Sequence, residues 1–262
     1  MELTVNGRKV FAATGGRAFD ASSPAIVFVH GAGMDHTVWP LQARHFAHHG
    51  HAVLAVDLPG HGRSEGPLLD TIEAQGGWLL ALIEAAGLAS AALVGHSMGA
   101  LAVLEAAAVG GARITKLALL GVASPMLVHP ELLAAAKAGQ HVAMELIASW
   151  GFGRAAHLGG NRAPGLWMLG EGLRLLEHGP AGALATDLAA CHAYHGADAA
   201  IPRVRCPTLV LSGEADIMTP PASAAALAKR LSDGRAVTLS RAGHMMMIEQ
   251  PDATLDALKA FL

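Results

Sequence analysis

Apolar residues fall along the chain in two alternating patterns. Short runs rich in β-branched residues, at 25–30 (AIVFVH), 52–57 (AVLAVD), 91–95, 114–122, 207–212 and 236–240, read as strands. The near-continuous apolar character of the first two predicts burial on both faces. Longer stretches at 39–49, 71–86, 98–109, 221–231 and 251–262 have helical character, with Pro221 well suited to a first helical turn. This alternation predicts βαβ units and a largely parallel sheet. Ahead of it, 3–5 and 9–13 flank Asn6-Gly7, a dipeptide that accepts the positive φ angles of a tight hairpin, so an antiparallel edge is expected. From 124 to 200 the strand signal disappears, and helix-like stretches broken by glycine and proline predict a helical insertion after the sixth strand. The expected division is a core of 1–123 and 201–262 with a helical cap of 124–200.

Composition narrows the class. A chain of 262 residues suits one large α/β domain or a domain with an insertion. Its 52% hydrophobic content includes 54 alanines, so large apolar side chains are fewer than that figure implies. With 18 Lys+Arg against 21 Asp+Glu and no basic block, nothing supplies the charge that nucleic acid requires, and no nucleic-acid partner is expected. Residues 85–104 lack Asp, Glu, Lys and Arg over a length that would cross a bilayer. The run nevertheless contains Gly87, Ser90, Gly95, His96, Ser97 and Gly99, as a buried strand, turn and helix would, so stable membrane insertion is not expected. The opening MELTVNGRKV has neither the basic start nor the apolar core of a secretory leader, which makes a cytoplasmic location the expectation. Cys191 and Cys206 read as two buried thiols. Nothing in the pattern sets an oligomeric state.

The chemistry concentrates at four strand ends. Gly95-His96-Ser97-Met98-Gly99 is a G-x-S-x-G pattern between a predicted strand and a predicted helix, where a sharp turn projects the serine oxygen above the sheet. The Met98 N–H then opens a helix and can stabilise an oxyanion. His30-Gly31-Ala32-Gly33 follows the AIVFVH strand and can bring a second backbone N–H, from Ala32 or from Gly33. Asp216, in Gly213-Glu214-Ala215-Asp216, and His244, in Ala242-Gly243-His244, each stand just past a strand, where open α/β sheets form their sites. Glu214 is an alternative acid.

The order Ser97, Asp216, His244 resembles the α/β-hydrolase family across nearly the whole chain. So does 57–64 (DLPGHGRS), which is similar to the D-x-P-G-x-G-x-S loop of the cap-bearing branch. The resemblance implies a mostly parallel eight-stranded sheet flanked by helices, with the cap after strand 6. It implies Asp216 as the acid rather than Glu214, and a bracing role for Asp57 and Arg63. By its chemistry His244 takes the proton of Ser97 while Asp216 holds the imidazole in the right tautomer, and Met98 and Ala32 supply the oxyanion donors. Neither a cofactor nor a metal is expected. The cluster of His45, His48, His49 and His51 lacks zinc-site spacing and reads as a solvated surface.

Serine at the elbow, where epoxide- and halide-processing relatives carry aspartate, implies acyl chemistry. The expected substrate is a carboxylic ester with a small to medium, mostly apolar acyl group. Gly31, Gly33, Trp150 and Trp167 are expected to touch it, with Phe152, Met168 and Tyr194 as further large groups of the cap. Lactone, thioester and carbon–carbon bond hydrolysis remain open beside it, as does a non-catalytic ligand receptor on the same fold.

Overall fold

The structure, a computed structural model, describes residues 1–157, 159 and 167–262; the rest of the expected cap, 158 and 160–166, lies outside the described residues. The expected hairpin forms β1 (Glu2–Val5) and β2 (Arg8–Ala13), with Asn6 and Gly7 at φ of 51° and 76°. Then follow β3 (Ala25–Val29), α1 (Pro40–His48), β4 (Ala52–Val56), α2 (Ile72–Ala85), β5 (Ala91–His96), α3 (Met98–Gly110) and β6 (Ile114–Leu120). After α4 (Pro130–Lys137), α5 (Val142–Gly151), α6 (Arg154–His157), α7 (Met168–His178), α8 (Ala183–Ala193) and α9 (Ala197–Ala200), the sheet resumes with β7 (Thr208–Gly213), α10 (Pro221–Arg230), β8 (Gly234–Leu239), α11 (Met246–Glu249) and α12 (Pro251–Lys259). All of α4–α9 lie between β6 and β7, where the helical insertion was expected.

The eight strands make one sheet in the order β1-β2-β4-β3-β5-β6-β7-β8, antiparallel at the first two pairings and parallel elsewhere. Alternate residues of the central strands feed opposite layers, as the two-residue period requires. Val27, Val29, Leu54 and Leu93 pack with α2, α3 and α10, whereas Ile26, Phe28, Val53 and Val94 pack with α1 and α12. The charge-free run at 85–104 is split between the end of α2, all of β5 and the start of α3. Among the described residues no helix is long and apolar enough to cross a membrane.

Two boundaries move for physical reasons. β8 starts at Gly234 rather than 236, because this edge strand is largely solvated and its first residues, Gly234 and Arg235, are exposed and carry no apolar side chain. β6 stops at Leu120 because Gly121 turns to a φ of 58°. Since β3, β5, β7 and β8 run parallel, their carboxyl ends bring the His30 turn, Ser97, Asp216 and His244 to one edge of the sheet.

Candidate active site

Ser97 sits between β5 and α3 at φ 53° and ψ −116°, a backbone conformation that a non-glycine residue holds only when its surroundings enforce it. Backbone packing enforces it here: the Ser97 N–H donates to the Leu120 carbonyl at 2.9 Å, and the flanking glycines let neighbouring backbone close in. A Cβ on Gly95 would lie 2.2 Å from the Gly99 carbonyl oxygen, and one on Gly99 would lie 2.4 Å from the His30 oxygen. The elbow therefore wedges between its own helix and the end of β3. Cys191 and Cys206 are free and buried, as expected.

His244 Nδ1 lies 2.8 Å from Asp216 Oδ2. That carboxylate is saturated: Oδ2 also accepts from Thr219 Oγ1 at 2.6 Å, and Oδ1 accepts from the Met218 and Thr219 N–H groups at 2.9 and 2.8 Å. Burial opposes ionisation of Asp216, but the interaction and hydrogen bond with His244 and the Thr219 bonds outweigh it and hold the carboxyl below its usual range. A carboxylate only accepts, so the His244 Nδ1 carries the proton and Nε2 is left basic; among the described residues Nε2 has no partner. The alternative acid, Glu214, is engaged elsewhere, accepting from the Arg241 N–H at 3.0 Å on the surface.

His96, to which the sequence assigns no role, holds the histidine loop. Its fully buried ring donates from Nε2 to the His244 carbonyl at 3.0 Å, and burial, reinforced by His244, pushes its pKa down to about 3. Thr219 and His96 are thus two supporting residues the sequence reading missed. The spacing from Asp216 to Thr219 signals a local side-chain turn, whereas nothing local marks the His96 contact.

The turn after β3 runs against the serine, so that a Cβ on Gly31 would sit 3.2 Å from the Ser97 Cβ. Of its two candidate donors, the Gly33 N–H is committed to Asp187 Oδ2 at 2.8 Å, while Ala32 lines the same pocket as Ser97. Met98 is the first residue of α3. Asp57 braces this region by accepting from the His36 and Arg63 N–H groups and the His36 ring, and the Arg63 guanidinium lies over the Phe11 ring.

The pocket above Ser97 and His244 has a volume of about 520 Å³. Trp150, Phe152 and Met168 line it, along with Leu132, Ile147 and Leu176. Gly31, Gly33 and Trp167 are not among the described lining residues; Trp167 stands 64% exposed, and the buried Tyr194 hydroxyl donates to Glu105 of α3. Among the described lining residues there is no lysine or arginine, and Glu171 is the one carboxylate.

Residues 26–257 match the model of the family described as Alpha/beta hydrolase. The chain belongs to that family. Family relatives span nearly the full length. The chain is 25% identical over 248 residues to an (E)-2-((N-methylformamido)methylene)succinate hydrolase of Acinetobacter baylyi, covering 90% of this chain and 89% of that protein. It is 28% identical to the enol-lactonase of Burkholderia xenovorans LB400, with a TM-score of 0.87 over 100% of this chain and 99% of the other. A thermophilic esterase of Thermogutta terrifontis, 22% identical with a TM-score of 0.83 over 99% and 96% of the two chains, shares the fold. The family places the chain among α/β hydrolases.

Proposed function

We propose that the protein is a serine hydrolase that cleaves carboxylic esters through an acyl-enzyme on Ser97. The observation that carries this reading is the 2.8 Å bond from His244 Nδ1 to Asp216, which leaves Nε2 basic in a pocket lined by Ser97. His244 Nε2 removes the hydroxyl proton as Ser97 Oγ attacks the carbonyl carbon. The carbonyl electrons move to oxygen, where the Met98 and Ala32 N–H groups stabilise the oxyanion. As the tetrahedral intermediate collapses, His244 protonates the departing alcohol, and a water activated by the same nitrogen releases the acid. The scheme uses the chain's own residues and no cofactor or metal. Residues 124–200 act as a cap over the core of 1–123 and 201–262, giving the acyl chain its apolar wall through Trp150, Phe152 and Met168.

Pocket chemistry supports a neutral acyl group. A substrate carboxylate would enter among methionines, leucines and aromatics with no lysine or arginine among the described lining residues, and an unpaired buried charge is costly. p-Nitrophenyl butyrate and hexanoate are therefore expected to be hydrolysed at least about 10-fold faster, by kcat/KM, than the hemisuccinate ester of similar length. Equal or faster hemisuccinate turnover would overturn the neutral-acyl reading.

A lactone substrate is the second reading, favoured by the full-length likeness to an enol-lactonase. The same machinery would open the ring, with the leaving alkoxide tethered to the acyl group. A neutral γ- or δ-lactone series run beside the esters separates the two.

A further inference from the structure

Asp187, on α8 of the insertion, is fully buried and reaches the turn that follows β3. Its Oδ2 accepts from the Gly33 N–H at 2.8 Å and meets His61 Nε2 at 2.9 Å, while Oδ1 has no partner among the described residues. His61 is 2% exposed, and its other ring nitrogen, Nδ1, faces the Pro59 carbonyl at 3.1 Å. A carbonyl and an ionised carboxylate only accept, so with Asp187 charged both ring nitrogens carry protons and His61 is an imidazolium.

The surroundings support that charge state. Burial pushes the His61 pKa down, but hydrogen bonding and charge from Asp187, the Pro59 carbonyl and the charge of Asp57 together raise it above the ordinary histidine value. The other ring against it, His30 at 5.0 Å, accepts from the Leu58 N–H at Nε2 and donates from Nδ1 to the Gly31 carbonyl. Burial first, then the His61 charge, keeps His30 neutral. Among the described residues, the charged and titratable groups found against His61 are thus Asp187, Asp57 and His30.

We propose that Asp187 is a positioning residue for the oxyanion turn, holding the Gly33 amide from the insertion, and with it the adjacent Ala32 N–H, while His61 supplies the counter-charge. This rests on the acyl-transfer reading of Ser97. It gives the insertion a second task besides enclosing substrate. Leu188 and Cys191, on the same helix as Asp187, line the pocket, so a substrate that displaces α8 also loosens the turn. Acyl groups that fit against α8 are then turned over faster, not merely bound more tightly.

The test compares wild type, Asp187→Leu and Asp187→Asn on p-nitrophenyl butyrate, with Ser97→Ala as control, at a temperature where circular dichroism shows each protein folded. Leucine removes the acceptor, and kcat is expected to fall on the order of 10- to 100-fold with KM within about threefold. Asparagine keeps one acceptor oxygen and should recover part of the loss, to roughly fivefold below wild type. A purely structural Asp187 would lower the melting temperature and leave kcat of the folded enzyme unchanged. Independently of turnover, 15N NMR of the imidazoles should show both His61 nitrogens protonated at pH 7 in wild type and one in each variant. Either folded variant with kcat within about twofold of wild type, or a neutral His61 in wild type at pH 7, overturns the proposal. If the leucine variant does not fold, the asparagine variant and the NMR readout apply the same criteria. Turnover that survives Ser97→Ala overturns the serine reading, and this role with it, which is distinguishable because Ser97→Ala leaves the Asp187–His61 pair intact.

Discussion

Ser97→Ala is expected to lower p-nitrophenyl ester turnover by on the order of 10⁶-fold, with KM little changed. The variant keeps the pocket, the oxyanion donors and the Asp216–His244 pair, because no hydrogen bond of that pair runs through the serine hydroxyl. What it removes is the atom that forms the covalent bond. The residual rate over water would come from binding and the oxyanion donors. The elbow should survive, since it is held by backbone packing that Gly95 and Gly99 permit rather than by the side chain at 97, so circular dichroism and the melting temperature should match wild type. Turnover within about 100-fold of wild type would mean that another group attacks the substrate.

Asp216→Asn is expected to cost on the order of 10⁴-fold in kcat, and its cause can be traced atom by atom. Oδ1 of residue 216 accepts from two backbone N–H groups, those of Met218 and Thr219. An asparagine would keep its carbonyl oxygen there and turn its amide NH₂ toward His244. The ring must then accept at Nδ1, so its proton moves to Nε2, the nitrogen that has to take the serine proton. The same change removes a carboxyl held below its usual range. That carboxyl contributes stability that is present above the ordinary Asp value of 3.8 and is lost as pH falls through the lower folded-state value. Steady-state kinetics and acid unfolding of the variant check both effects, and a kcat within about 10-fold of wild type would remove the tautomer argument.

Much of this architecture is legible in the sequence because it is encoded locally. The paired β-branched runs at 25–30 and 52–57 carry the buried strands, and Asn6-Gly7 carries the hairpin. The strand–glycine–serine–glycine–helix sequence around 97 carries an elbow whose short backbone distances leave no room for a Cβ at Gly95 or Gly99. Contacts that join distant segments are not legible. His96 to the His244 carbonyl and Gly33 to Asp187 each bridge more than 140 residues, and hydrophobic periodicity contains no information about such partners. His61 appears in the sequence only as one of three variable positions of a loop motif, and its charge emerges from two acceptors placed around a buried ring. Aromatic residues in the insertion are likewise ambiguous, since helical spacing does not say which of Trp150 and Trp167 turns inward; the first lines the pocket and the second faces solvent.

The most direct test of the central claim is rapid-quench mass spectrometry of the enzyme turning over p-nitrophenyl butyrate. A single butyryl adduct is expected to form within the burst phase, map to the peptide carrying Ser97 and decay with the steady-state rate. Turnover with no adduct, or a kinetically competent adduct on any other residue, would contradict that claim.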